Sequence, residues 1–162
     1  MDQVFKAKNN DYIVTRYQST ADITGAIIKA IKESDPASQK LAPYFKNKNK
    51  KTSAKLIFMF AKNLRPYKKE PSSLQTARTM QRIISDNKGI DCKHYSTICS
   101  SLCMALGIKC KLRLITQNIG SNTPNHIYAV AIINGNEIII DPVLKNFDQE
   151  ANYISSYDIN LN

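Results

Sequence analysis

The sequence predicts an α+β fold, with helices in the first part of the chain and an antiparallel sheet in the second. Apolar residues recur at helical spacing in four segments before Gly107. After Gly107 the apolar residues follow the period of strands, and Asn134-Gly135 separates two apolar runs as a hairpin signal. Helices followed by strands are typical of the α+β class, and a length of 162 residues suits a single domain.

The first two predicted helices flank a lysine-rich loop. Ser19 or Thr20 can cap a helix over residues 21–33, which ends at Asp35-Pro36. Thr52 can cap a second helix over residues 52–64. This second helix is apolar nearly all round, so we expect it to be buried.

Two further helices are predicted before the sheet. Pro71 can start the third, over residues 71–86. Apolar residues recur there at helical spacing and would form one apolar face of the helix. Gly89 then breaks the chain. The fourth helix is expected over residues 91–106, with Gly107 as its C-terminal cap.

Three strands are predicted after Gly107, over residues 111–116, 126–133 and 137–141. If Asn134-Gly135 is a two-residue turn, Asp141 lies opposite Tyr128, and His126 is diagonal to Asp141 on the same face. A three-residue loop would shift the register by one residue and separate the two side chains. The pairing of His126 with Asp141 therefore depends on the length of this turn.

Cys92 is placed where a thiol becomes chemically useful, because it opens a helix directly after the turn at Gly89. Unpaired N–H groups and the positive end of the helix dipole favour a thiolate there, and they can also hold an oxyanion. The other three cysteines are predicted to be structural: Cys99, Cys103 and Cys110. His94 points about 160° away from Cys92 on the same helix, so it is a poor candidate for the base.

The net charge of +10 belongs to the first half of the chain. Residues 1–88 carry 18 basic and 7 acidic side chains, whereas residues 89–162 carry 5 and 6. Ten basic residues and no acidic one fall within residues 40–69. This basic region has three interpretations: a solvated face, a docking surface for an acidic protein, or a nucleic-acid surface.

Several classes of protein are excluded or disfavoured by the sequence. No apolar run approaches the ~18 residues of a membrane-spanning helix, so no membrane insertion is expected. The N-terminal segment has no apolar core of a signal peptide, which favours a cytoplasmic location. The cysteine spacings match neither a zinc site nor a small disulfide framework, so free thiols are predicted.

Three segments of the sequence resemble the transglutaminase-like superfamily, a branch of the papain-like cysteine fold. They are GIDCKHYSTICSSLCMALGIKCKLRL, HIYAVAI and IIIDPV, and the resemblance covers roughly residues 75–145. It is particularly close to small members from bacteriophages and bacteria. The resemblance implies a transglutaminase-like core over residues 89–145, after a basic helical part (1–88) and before a C-terminal tail (146–162).

The resemblance also implies roles for three residues. Cys92 would be the nucleophile, His126 the general base and acid, and Asp141 the residue that orients the imidazole. Tyr128 occupies a position that is often Trp in the family. Many members use an upstream side chain as a second oxyanion donor, for which Asn87 and Gln81 are candidates.

Two functions follow from these observations. The first is thiol-dependent acyl transfer on an amide, by hydrolysis or transamidation, with a peptide or protein as substrate and no metal or organic cofactor. The second is a structural component of an assembly, such as a phage virion, that docks through the basic N-terminal part. The candidate triad favours the enzyme, and the charge distribution favours the scaffold.

Overall fold

The computed structural model describes residues 11–15 and 19–161, and its main element is a four-stranded antiparallel sheet. The strands are β3 (Lys109–Thr116), β4 (His126–Ile133), β5 (Asn136–Ile140) and β6 (Ser155–Asn160), in the spatial order β5-β4-β3-β6. The C-terminal tail therefore packs back onto the domain, because β6 pairs with β3.

A central helix, α5 (Cys92–Ala105), packs against β3 and β4 of this sheet. Every residue of α5 from Lys93 to Cys103 is buried. Among the other helices that contact it are α1 (Thr20–Glu33), α2 (Asp35–Leu41) and α3 (Lys50–Leu64). The predicted α+β class, with a central helix that opens with Cys92 and packs on an antiparallel sheet, is confirmed.

The first helix is confirmed by its capping geometry. Ser19 is the N-cap of α1, and its side chain forms a capping box with Asp22. The prediction of a loop after Asp35-Pro36 is wrong, because proline is accepted in the first turn of a helix and α2 begins there. A 3-10 helix, Ala42–Phe45, follows α2.

The lysine-rich helix α3 differs from its prediction in two respects. Asn49 rather than Thr52 is the N-cap, since its side chain accepts the backbone N–H groups of Lys51 and Thr52. The helix is also not buried all round: Leu56 and Met59 remain 37% and 48% exposed.

The predicted third helix over residues 71–86 is wrong. The structure has a strand, β2 (Leu74–Arg78), followed by the short helix α4 (Met80–Ser85). β2 pairs with β1 (Asp11–Thr15) in an antiparallel two-stranded sheet. The apolar period over these residues is compatible with a helix, but pairing with a strand some 60 positions earlier decides the outcome, as tertiary context overrides local propensity.

The hairpin between β4 and β5 confirms the predicted register. Asn134 and Gly135 have φ angles of 53° and 80°, as a two-residue turn with left-handed central residues requires. Ile133 pairs with Asn136, so the first residue after β5, Asp141, lies opposite Tyr128. Over the described parts of the chain, no helix is both long and apolar enough to cross a membrane.

Candidate active site

The three residues predicted to form a triad lie at the ends of three different elements, and these ends meet in the structure. Cys92 is the first residue of α5, His126 is the first residue of β4, and Asp141 directly follows β5. His126 Nε2 lies 2.6 Å from Asp141 Oδ2. The structure thus brings His126 and Asp141 into contact, as the two-residue turn requires.

The Cys92 side chain completes the group, because it lies close enough to the His126 ring to contribute to the raised pKa of that ring. Because Nε2 of the ring faces Asp141, Nδ1 is the nitrogen available to the sulfur. One turn further along α5, the Ser96 hydroxyl donates to the carbonyl oxygen of Cys92 at 2.8 Å and also lies 3.2 Å from the carbonyl oxygen of Ile127. This contact joins the start of α5 to the start of β4, and so fixes the nucleophile relative to the histidine.

The protonation of His126 follows from its two partners. Burial lowers the pKa of the ring, but the hydrogen bonds and negative charges of Asp141 and Cys92 outweigh that effect and raise it to about 9. The imidazole therefore keeps both of its protons at neutral pH. A protonated imidazole beside a sulfur is the acid that a leaving amine needs, and it stabilises a neighbouring thiolate.

Asp141 is held in place by the turn that follows it. It is buried, and its second carboxylate oxygen accepts the backbone N–H of Val143 at 3.1 Å. The Lys62 ammonium of α3 donates to the carbonyl oxygens of Pro142 and Leu144, at 3.0 and 2.5 Å. One cation of the basic region therefore anchors the turn that begins at Asp141, a role that the sequence did not reveal.

Replacing Lys62 with Met is expected to destabilise the protein by about 1–2 kcal/mol, because two hydrogen bonds from a charged donor are lost. Lys55 lies exposed on the same helix and provides a matched control. The Lys55→Met variant is expected to stay within about 0.5 kcal/mol of the wild type. Urea unfolding of both variants measures the difference, and equal losses would contradict an anchoring role for Lys62.

Asp91, the residue before Cys92, is a buried N-cap of α5 with charged partners. Its carboxylate accepts the Lys93 N–H at 3.1 Å, forms an ion pair with the Lys93 ammonium and lies 2.8 Å from His94 Nδ1. Burial raises the pKa of Asp91, but the contacts with His94 and Lys93 overcome this effect and hold the pKa below its ordinary value. The helix start that carries the nucleophile is therefore fixed by a buried ionised carboxylate.

His94 belongs to this support and not to the candidate triad, as its position on α5 predicts. The ring is fully buried, and its Nε2 accepts a hydrogen bond from Arg78 Nε at 3.0 Å. Burial is the main cause that lowers the pKa of His94, so the ring is neutral. Arg78 also donates to the carbonyl oxygen of Gly89 at 2.7 Å, and thereby links strand β2 to the turn before Cys92.

Cys92 and His126 line a cavity of about 780 Å³. Four aliphatic side chains line part of it, from α1 and from the strands β3 and β4: Ile23, Ile27, Leu114 and Ile127. Polar residues of the loop before His126 form another part of the wall, among them Gln117 and Asn125. The cavity is large enough for a side chain and the adjoining backbone of a peptide.

Both sequence candidates for a second oxyanion donor are wrong. The Gln81 amide is buried and donates to the carbonyl oxygen of Glu33 at 2.8 Å, and Asn87 is exposed. Neither residue lines the cavity. By contrast, Tyr67 does line the cavity, although its sequence context predicts no function for it.

Cys99, Cys103 and Cys110 are buried, and burial raises the pKa of each thiol. Within residues 11–15 and 19–161, no group of histidine, cysteine and acidic side chains is arranged to hold a metal ion. The Tyr128 ring lies beside His126, with centroids 5.6 Å apart, and its hydroxyl donates to Glu150 at 2.7 Å.

Comparison with known proteins shows a shared fold. No protein-family model matches the sequence, and no curated protein does. The crystal structure of a candidate cysteine protease from Cytophaga hutchinsonii is similar, with a TM-score of 0.54 and 24% sequence identity. The similarity covers 82% of this chain and 48% of the other, so this chain spans about half the length of that protein.

Proposed function

We propose that this protein is a transglutaminase-like cysteine enzyme that transfers acyl groups from amides, with Cys92, His126 and Asp141 as its triad. The observation that carries the proposal is the His126 ring, whose Nε2 is bonded to a buried carboxylate while the ring also meets the Cys92 thiol. A nucleophile, a base and a group that orients the base are the parts of a thiol acyltransferase. The fold shared with a candidate cysteine protease supports the same class of reaction.

The reaction starts when the Cys92 sulfur attacks the carbonyl carbon of an amide. A C–S bond forms, and the carbonyl oxygen becomes an oxyanion. His126 then gives the proton on Nδ1 to the amide nitrogen, the C–N bond breaks and the amine leaves. Water or a second amine attacks the thioester and loses a proton to His126, and the C–S bond breaks to restore Cys92.

The substrate class follows from the shape and lining of the cavity. A cavity of about 780 Å³ with an aliphatic wall suits a peptide or protein amide better than a small polar amide. The backbone N–H of Cys92 lies at the first position of α5, where the helix itself offers no acceptor. This N–H group can therefore hold the oxyanion that forms at the scissile carbonyl.

Alkylation with iodoacetamide, a small primary amide, tests the nucleophile. We expect the label on Cys92 and none on Cys99, Cys103 or Cys110, because the Cys92 side chain is partly exposed and the other three thiols are buried. Peptide mapping by mass spectrometry locates the label, and the Cys92→Ala variant is the control.

Acyl transfer itself is tested by trapping. The protein is incubated with p-nitrophenyl acetate, and hydroxylamine then releases the thioester as a hydroxamate. A thioester on Cys92 that is absent from Cys92→Ala is expected. No labelling of Cys92 near neutral pH, together with no thioester, would overturn the proposal.

A second candidate function is docking to an acidic protein within an assembly, such as a virion. It is favoured by the outer surface of α3, where Leu56 and Met59 are exposed on a helix that also carries exposed lysines such as Lys55. Surfaces of mixed apolar and basic character are suited to acidic protein partners. An inert Cys92, with normal folding, would favour this function over the enzyme.

A further inference from the structure

The segment 66–68 runs directly beside the residues that precede the candidate nucleophile. Ile90 donates its N–H to the carbonyl oxygen of Pro66 at 3.1 Å, and Lys68 donates its N–H to the carbonyl oxygen of Ile90 at 2.8 Å. These two bonds form a parallel bridge between Tyr67 and Ile90. Because Ile90 is two residues before Cys92, the backbone of Tyr67 is fixed relative to the start of α5.

Gly89 allows this close approach. A Cβ atom on residue 89 would lie 2.5 Å from Lys68 Cβ and 3.2 Å from the carbonyl oxygen of Pro66. The first distance is shorter than side-chain carbons tolerate, and Lys68 Cβ cannot move without its backbone. A glycine at residue 89 is therefore required for Tyr67 to stand beside the active site.

The Tyr67 side chain is held by a second aromatic residue. Its ring stacks on that of Tyr95, with centroids 6.3 Å apart and an interplanar angle of 11°. Tyr95 is buried, and its hydroxyl donates to the carbonyl oxygen of Arg65 at 3.3 Å. Tyr67 itself is 47% exposed and lines the cavity that contains Cys92 and His126.

The hydroxyl of Tyr67 is protonated and can therefore donate a hydrogen bond. Burial is the main cause that raises its pKa to about 12, and the negative charges of Cys92, Asp91 and Asp141 add to the effect. The phenol thus keeps its proton throughout the physiological range. The Lys93 ammonium, whose side chain also lines the cavity, is already engaged by Asp91 and Gln75.

We propose that the Tyr67 hydroxyl is the second donor of the oxyanion hole, and that it acts together with the backbone N–H of Cys92. This assignment rests on the proposed acyl-transfer function. When the thiolate adds to a carbonyl carbon, the oxygen becomes negative and accepts hydrogen bonds from the phenol and from the peptide N–H. No proton is transferred from Tyr67, so it stabilises charge and leaves acid–base chemistry to His126.

Two reagents separate this role from a general effect on the thiol. Acylation of Cys92 by p-nitrophenyl acetate passes through an oxyanion: the C–S bond forms, the ester C–O bond breaks and p-nitrophenolate leaves. Alkylation by iodoacetamide displaces iodide from a saturated carbon and forms no oxyanion. The Tyr67→Phe variant keeps the stacked ring and removes only the hydroxyl, and Tyr44→Phe is the control, since Tyr44 is 79% exposed and lies outside the cavity.

We expect Tyr67→Phe to slow acylation roughly 100-fold, as loss of one oxyanion donor does, and to leave alkylation within about 2-fold of the wild type. Tyr44→Phe should change neither rate. Equal acylation rates in Tyr67→Phe and the wild type would overturn the assignment, and so would a parallel fall of both reactions. A wild type that is alkylated but not acylated would instead overturn the proposed function, and the assignment of Tyr67 with it.

Gly89→Ala provides a second variant that leaves the hydroxyl in place. The added methyl group forces residues 66–68 away from residues 89–91. Acylation is expected to fall at least 10-fold more than alkylation in this variant. Near-ultraviolet circular dichroism, which reports the packing of Tyr67 on Tyr95, confirms that the ring has moved; a moved ring with full acylation would overturn the assignment.

Discussion

Replacement of His126 with Gln is expected to slow the cleavage of an amide at Cys92 by roughly 10²–10⁴-fold. The side chain of Gln retains a hydrogen-bonding group near Asp141 but can neither take nor deliver a proton. The loss should appear mainly in kcat, because the aliphatic wall that holds the substrate is unchanged. A variant with more than about a tenth of the wild-type kcat would contradict the role of His126.

The pH dependence of the same reaction identifies the acid. With a pKa of about 9, the His126 ring stays protonated across neutral pH, so amide cleavage should persist up to about pH 9 and fall above it. Asp141→Asn removes the negative charge beside Nε2 and should move this upper limit to lower pH. An unchanged limit in Asp141→Asn would show that another group titrates.

The sequence contains two histidines, which makes the assignment direct. In proton NMR, one imidazole should titrate near pH 9, and the neutral His94 should show no such transition because burial lowers its pKa. The transition near pH 9 should disappear in His126→Gln and persist in His94→Gln. If the transition near pH 9 instead disappeared in His94→Gln, it would belong to His94, and the assignment to His126 would be wrong.

The protonation of His126 also affects stability. A folded-state pKa above the value of an unfolded histidine, ~6.5, means that folding favours the protonated ring. The resulting stability is complete below about pH 6.5 and is lost as the pH rises through about 9. The free energy of unfolding should therefore decline over this window in the wild type and remain flatter in His126→Gln.

The part of the site that the sequence predicted depends on local rules. The two-residue turn at Asn134-Gly135 and the alternation of side chains along strands are enough to put His126 beside Asp141. The start of α5 is equally local, since Asp91 is an N-cap residue that follows a glycine turn. Both features involve residues that are close in sequence and joined by regular geometry.

The part that was missed depends on contacts between distant segments. β2 forms because residues 11–15 pair with it. The spacing of apolar residues within 71–86 contains no information about that partner strand. Tyr67 reaches the cavity through backbone bonds of its segment with Ile90, which lie in irregular structure. Lys62 is one of many lysines in its region, and its sequence neighbours do not distinguish it from those that face solvent.

The basic region is partly explained by such contacts. Besides Lys62, the Arg65 guanidinium donates to the carbonyl oxygens of Ile84 and Asp86, each at 2.8 Å, and Lys51 pairs with Asp148 at 2.6 Å. Several cations of residues 40–69 therefore join α3 and its end to the segments around the site. Some basic residues of this region therefore have a structural role, whereas others form an exposed surface. The docking interpretation depends on the exposed ones.

The largest effect on stability is expected from Asp91→Ala, with a loss of about 3–5 kcal/mol in the free energy of unfolding. The substitution removes the cap of α5 and also the buried carboxylate that neutralises Lys93, whose side chain is 6% exposed. Glu70, 3.5 Å from the Lys93 ammonium, replaces only part of the lost interaction. Urea unfolding followed by circular dichroism measures the loss.

A double variant separates the two causes. In Asp91→Ala/Lys93→Met the ammonium is gone, so no cation remains buried beside the missing carboxylate, and a substantial part of the stability should return. A double variant as unstable as the single one would assign the whole loss to the helix cap. A single variant that loses less than about 1 kcal/mol would contradict the burial of the ion pair.

Acid unfolding provides an independent measurement of the same carboxylate. The pKa of Asp91 is lower in the folded protein than the value of ~3.9 in the unfolded chain, so its ionisation stabilises the fold at any pH above that value. This contribution is lost as the pH falls below about 4. The wild type should therefore lose stability steeply in acid, whereas Asp91→Asn should start from a lower stability and show a shallower slope. Identical acid slopes in the two proteins would mean that Asp91 is not the ionised cap on which the start of α5, and with it the position of Cys92, depends.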